Sequence, residues 1–162
     1  MENQATKCAV AVAAPAPLLL RQEPQSETLE TIIALAESAF AGEATEVFRN
    51  GPFVEVEVVS GTRIVEAVYD IETGALQMCH ATAESRRGKR NARALGRAVL
   101  SLLDAIDLAK AAVGAGEVLR AALLSAASLG ERRFDVRLRT RGGDVDVAID
   151  PTTGRLVRAV SG

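Results

Sequence analysis

Residues 70–76 read Asp-Ile-Glu-Thr-Gly-Ala-Leu and residues 150–156 read Asp-Pro-Thr-Thr-Gly-Arg-Leu, so D-x-x-T-G-x-L occurs twice in a chain of 162 residues. The second copy lies 80 positions after the first, and the same offset runs upstream without a gap to Val54 and Phe134. On that register Val56 matches Val136, Val58 matches Leu138, Val65 matches Val145 and Tyr69 matches Ile149. Apolar residues meet apolar residues at every second position, the period at which side chains of a strand return to one face. The motif itself is a turn. Asp70 and Asp150 can accept hydrogen bonds from the backbone ahead of them, Gly74 and Gly154 can take a left-handed conformation, and Pro151 presets φ. A repeat at this spacing sets the architecture before any single motif does.

Upstream of each copy lies a helical pattern. Leu29, Ile33, Ala36 and Phe40 recur 73 positions later as Leu102, Ile106, Ala109 and Val113, and spacings of four, three and four place them on one helix face. Ser26 is a suitable N-cap, with Glu27 and Glu30 near the positive end of the dipole. Gly42 and Gly116 follow the two patterns and suit left-handed C-terminal caps. The growth of the offset from 73 to 80 puts seven extra residues of the second copy within Val118 to Arg133, as a longer first strand and loop. In the second hairpin, Gly142-Gly143 fits a two-residue primed turn. That turn sets Leu138 opposite Val147, Val136 opposite Ile149 and Arg139 opposite Asp146, with Arg141 and Asp144 beside it. In the first hairpin Gly61 can shift the turn, and one register opposes Glu57 to Glu66.

The predicted fold class is α+β: two tandem repeats, each a helix packed on an antiparallel β-meander of three to four strands. Residues 1–25 form an Ala/Pro arm, 26–80 the first repeat, 81–91 a basic linker, and 92–162 the second repeat. The second repeat has the longer first helix, from about Asn91 to Val113, with Leu95 and Val99 extending its apolar stripe. Either repeat alone has a thin core, so the two pack on one another. Cys8 to Leu20 is signal-like, but Pro15 and Pro17 break it and Glu2 precedes it, which favours an arm over a signal.

Composition narrows the function. The net charge is −2 and aromatic residues make up 3%, with no Trp, one Tyr and four Phe. A nucleic-acid binder needs a basic balance and, for single strands, aromatic platforms, so nucleic acid is not an expected partner. No apolar run is long enough to span a membrane. Cys8 and Cys79 are too few for a disulfide scaffold, although one bridge between them is open.

Catalytic patterns are missing. Cys79 and His80 are adjacent, and on a strand adjacent side chains point to opposite faces, so they do not form a nucleophile dyad. Two cysteines and one histidine fall short of a structural zinc site. Gly88-Lys89 lacks the Ser or Thr of a phosphate loop, Gly114-Ala115-Gly116 follows a helix rather than a strand, and no G-x-S-x-G occurs. The carboxylate pairs Glu55/Glu57 and Asp144/Asp146 alternate with apolar residues and read as solvated strand faces. These observations predict no enzyme, no cofactor and no metal. The one dense charge cluster is Arg86, Arg87, Lys89, Arg90, Arg93 and Arg97. It suits a solvated linker, but cations at a helix N-terminus oppose the dipole. Arg86, Arg87, Arg90 and Arg93 are therefore the candidate contacts to an acidic partner or anionic lipid.

A helix followed by an antiparallel meander, an Asp-x-x-Thr-Gly turn and a short last strand resembles the PepSY domain. The resemblance covers about Ser26 to Met78 and about Leu102 to Val160. It implies a bacterial, mostly extracytoplasmic (periplasmic or secreted) protein that binds or inhibits peptidases. It supplies no catalytic residues, and with no H-E-x-x-H in the chain the target is a separate protein. Architecture alone is also similar to β-lactamase inhibitor proteins, which pair two helix-plus-sheet repeats around a concave sheet. The expected function is thus a non-catalytic protein-binding module, a peptidase inhibitor or modulator. The alternatives are a self-assembling envelope protein joined through sheet edges and a small-ligand carrier using a cleft between the repeats.

Overall fold

The computed structural model describes residues 28–125 and 132–162. The proposed N-terminal arm, the signal-like segment, Cys8 and the Ser26 cap lie outside the described residues. The described chain is α+β, with three helices and one eight-stranded antiparallel sheet. The order of elements is α1 (Leu29–Phe40), β1 (Glu43–Asn50), β2 (Phe53–Ser60), β3 (Arg63–Asp70), β4 (Leu76–Ala81), α2 (Arg86–Leu95), α3 (Leu102–Val113), β5 (Glu117–Ser125), β6 (Arg132–Thr140), β7 (Gly143–Ile149) and β8 (Leu156–Ser161). Across the sheet the strands run β4-β3-β2-β1-β5-β6-β7-β8. The centre is the β1–β5 pair, where Glu46 faces Ala122, Val47 faces Ala121 and Phe48 faces Arg120.

The pairing register explains the two faces. One row crosses all eight strands as Cys79, Ala67, Val56, Val47, Ala121, Val136, Val147 and Ala159. Every member is small or apolar, so this face must be covered. Helices α1 and α3 cover it. Leu29, Ile32, Ile33 and Ala36 of α1 and Leu102, Ala105, Ile106 and Ala109 of α3 share one buried cluster with Val47, Val56, Val136 and Phe134. Glu30 of α1 and Lys110 of α3 form an ion pair between the helices.

Local signals fix the ends of the elements. Thr28 caps α1, its hydroxyl accepting from the Thr31 N–H at 3.2 Å. Ser101 and Asp104 form a reciprocal capping box at the start of α3. Both D-x-x-T-G turns close in the same way. The Asp70 carboxylate accepts from the Glu72 and Thr73 amides, and that of Asp150 accepts from the Thr152 and Thr153 amides. Gly74 and Gly154 take φ values of 67° and 71°.

Four local expectations need correction. The left-handed residues after the helices are Ala41, and Gly114 with Ala115, not Gly42 and Gly116. Those glycines serve close approach instead: a Cβ on Gly42 would lie 2.4 Å from the Val59 carbonyl oxygen, and one on Gly116 would lie 2.9 Å from that of Arg139. The second hairpin turns at Arg141-Gly142, two residues away in register from the predicted pairing. Leu138 therefore faces Val145, Val136 faces Val147, Arg139 faces Asp144 and Arg137 faces Asp146. Thr140 holds this turn by accepting from the Gly142 N–H and donating to the Gly143 carbonyl, and the positive φ falls on Gly143. A shift of two keeps the same residues on the core face.

The single long helix from Asn91 is in fact two, α2 and α3. Gly96 ends α2, and the Val99 and Leu100 amides bond to the Pro151 carbonyl instead of continuing a helix. Val99 is 73% exposed and belongs to no apolar stripe. Finally, the first strands of the two predicted repeats are nearly equal, at eight residues in β1 and nine in β5. Most of the extra length falls in residues 126–131, outside the described residues.

Candidate functional site

The face of the sheet opposite α1 and α3 carries a different pattern. One row there reads Met78, Val68, Glu55, Phe48, Arg120, Arg137, Asp146 and Val160. The next reads His80, Glu66, Glu57, Glu46, Ala122, Asp135, Ala148 and Arg158. In the second row β1, β2 and β3 contribute acids, and the β5–β8 half contributes small residues, Asp135 and Arg158. The adjacent Cys79 and His80 pair with the adjacent Ala67 and Glu66, on opposite faces as strand geometry requires.

The β5–β8 half holds a hollow of about 220 Å³. Its floor is Ala122 and Ala148, both buried, where larger side chains would fill the space. Arg120, Arg137 and Arg158 stand around it with Asp135, Asp146 and Leu124. Arg120 reaches across the β1–β5 seam to Glu46 at 2.6 Å, and Arg137 clasps Asp146 through two bonds of 2.7 and 2.8 Å. The hydrogen bond from Arg137 holds the Asp146 carboxyl below its usual range. Planar guanidiniums held by such paired bonds present fixed donor edges to solvent. The edge strands β4 and β8 bound this face, and β8 is exposed along its whole length.

At one end of the sheet the face is closed by α2. Gly88 packs so tightly on the β2–β3 turn that a Cβ there would lie 2.0 Å from the Thr62 carbonyl oxygen. At the other end of the helix, Arg132 of β6 donates to the Ala94 carbonyl at 3.4 Å, a cation placed where the dipole favours it. Between these anchors lies Glu57, only 7% exposed. Thr45 donates to its Oε1 at 2.7 Å, Asn91 donates to the same oxygen at 3.0 Å, and Arg87 pairs with its Oε2. Arg87 also lies 3.9 Å from Glu66. The like-charged Glu57–Glu66 register is therefore real, and the guanidinium between them relieves it.

Two sequence expectations change here. Glu57 is a buried, fully bonded carboxylate, not a solvated one, because α2 folds over it. Arg87 is half exposed and already pairs with Glu57 and lies near Glu66, so it ties α2 to the sheet. The other three candidates, Arg86, Arg90 and Arg93, are exposed, as is Arg97 of the same cluster. No sequence signal pointed to the Ala122/Ala148 hollow, because alanines in a strand carry no chemistry of their own. Among the described residues no group of three or more His, Cys, Asp or Glu converges as metal ligands. No described helix is long and apolar enough to cross a membrane. The Asp70, Gly74, Asp150 and Gly154 set consists of turn residues, as their spacing implied.

These features define an α+β protein with one covered and one largely open sheet face. No protein-family model matches the chain, and no curated protein matches it. Among solved structures, a candidate lipoprotein from Clostridium difficile 630 is similar, with a TM-score of 0.49 and 15% identity over 85% of this chain and 95% of that chain.

Proposed function

We propose that the protein is a non-catalytic protein-binding module, a peptidase modulator built from two PepSY-like repeats whose sheets join edge to edge. Support for the repeat reading is the strand order, in which β4-β3-β2-β1 is followed by β5-β6-β7-β8, together with the matching Asp70 and Asp150 turns. The observation that carries the binding reading is the open sheet face. Its rows alternate fixed guanidiniums, carboxylates and part-buried apolar groups around the hollow over Ala122 and Ala148. A rigid surface with clamped arginines and a concavity suits recognition of another protein's side chains. The carrier reading is weaker, because the sheet runs unbroken across the β1–β5 seam where a cleft between repeats would lie.

The test is affinity capture from the native source, with the intact chain and an Arg137→Glu/Arg158→Glu variant as parallel baits. Recovery of a peptidase by the intact bait and its loss with the variant is the expected result. Equal recovery by both baits sinks the open-face assignment. The edge strand β8 favours a second reading, self-assembly, since Leu156, Val157 and Val160 are each about half exposed beside unpaired backbone. Under that reading the mass by light scattering rises with concentration, and Val160→Lys abolishes the rise.

A further inference from the structure

Three arginines of α2 stand on one line. Arg86, Arg90 and Arg93 are separated by four and three residues, and at 3.6 residues per turn they fall within about 60° of arc over about 10 Å, with Arg97 in the turn just past the Gly96 cap. The buried side of the helix is elsewhere: Gly88 and Ala94 are buried, and Arg87 and Asn91 reach Glu57. The stripe faces solvent, and neither its three members nor Arg97 has an ion-pair partner among the described residues. The neighbouring Lys89 is matched by Glu84 at 3.5 Å, and Arg87 is matched by Glu57, so the chain neutralises the cations beside the stripe and leaves the stripe bare. Helix α2 contains no acidic residue. Arg86 sits in its first turn, where the dipole opposes a cation, and no internal contact offsets that. Arg63 lies exposed at the same end of the sheet, and Val99, just beyond the stripe, projects an exposed apolar side chain.

We propose that this stripe docks the protein on the surface of a membrane containing anionic lipids. The charge is concentrated on one exposed helix face of a chain whose net charge is −2, so it acts locally and not as a general basic field. A protein hot spot is built on large anchors seated in desolvated pockets, whereas this helix and its flanks, residues 82–101, contain no Trp, Tyr or Phe. A plane of mobile anionic headgroups can meet these guanidiniums together without a pre-shaped partner, and Val99 can enter the interface beside them. The inference uses none of the residues of the open face and stands apart from the peptidase-modulator reading.

Co-sedimentation of the full chain with phosphatidylcholine vesicles, with and without phosphatidylglycerol, tests it. The expected result is binding to the anionic vesicles alone, lost in high salt. Arg86→Gln/Arg90→Gln/Arg93→Gln should lower partitioning on the order of 100-fold, at roughly fivefold for each basic residue. A variant with the same change of charge at the opposite end of the sheet, Arg49→Gln/Arg139→Gln/Arg141→Gln, should change it less than about threefold. Unaltered melting of the stripe variant shows that it has folded, since its three side chains are exposed and unpaired. Equal binding to both vesicle types, or equal losses for the two triple variants, overturns the proposal. Preferential binding of soluble polyglutamate over the anionic vesicles overturns it in favour of an acidic protein partner.

Discussion

Replacing Arg87 by Ala removes one wall of the Glu57 site and leaves the rest in place. Glu57, 7% exposed in the intact protein, still accepts from Thr45 and Asn91 at Oε1, while Oε2 loses its guanidinium and Glu66 again faces a like charge. Stranding a fully buried carboxylate costs about 3–5 kcal/mol, and breaking a surface pair costs about 0–1 kcal/mol. The Arg87 side chain is 49% exposed, so water can partly replace it, and a loss of about 2 kcal/mol lies between those limits. In a chain of this size that lowers Tm by about 4–8 °C. Arg86→Ala, one residue away and unpaired, should stay within about 0.5 kcal/mol. Urea titrations of Arg87→Ala, Glu57→Gln and the double variant measure the coupling directly. The double variant should recover part of the loss, because an amide keeps the bonding partners of Oε1 without a buried charge. Indistinguishable stabilities for Arg87→Ala and Arg86→Ala would refute the account of α2 as an electrostatically anchored lid.

Three further outcomes follow from the packing and the charges. Gly88→Ala drives a Cβ into the Thr62 backbone and should destabilise by about 2–3 kcal/mol, with hydrogen exchange rising first in α2 amides and only later in β5–β7. Phe134→Ala empties the position of a fully buried side chain that pairs with Leu123 and Ile149 and should cost about 3–5 kcal/mol by urea denaturation. For pH, burial pushes the Glu30 carboxyl up, but bonds from Lys110, its own amide and the Thr28 hydroxyl, with the Lys110 charge, outweigh it and leave the group low. Asp104 is held low by the Ser101 amide and hydroxyl, and Asp146 by Arg137. Depressed folded values mean that the unfolded chain binds more protons. This stability is therefore full above the ordinary carboxylate range of about 4 and drains away as pH falls through the folded values. The urea midpoint should be flat near neutrality and drop below about pH 4, and Lys110→Met should make the drop shallower.

The local code was legible where one residue type dictates one geometry. The paired D-x-x-T-G turns, the alternation from Val54 to Tyr69 and from Phe134 to Ile149, and the helix faces of α1 and α3 all follow from short-range sterics and periodicity. Errors of two residues in hairpin register, and of one or two at helix caps, arose because Gly142 and Gly143, or Gly114 and Gly116, satisfy a turn about equally well until the neighbouring strands choose between them. The 91–113 helix was over-extended because Leu95 and Val99 keep the period, whereas the chain leaves the helix at Gly96 and the Val99 and Leu100 amides turn to the Pro151 carbonyl.

The candidate surface was much less visible. Glu57 alternates with valines in β2 and so looks solvated, and Arg87 sits in a basic run and so looks free. Their pairing depends on α2 folding back across the sheet over 30 residues of sequence. The hollow depends on Ala122 and Ala148 arriving in one row from strands that are distant in the chain. The sequence alone determined the paired D-x-x-T-G turns, the alternating strands and the apolar faces of α1 and α3, because backbone sterics and apolar periodicity act over a few residues. The tertiary structure decided the β1–β5 seam, the partner of Glu57, the bare arginine stripe and the open face. Those depend on which surfaces meet across the fold, and no local preference encodes that meeting.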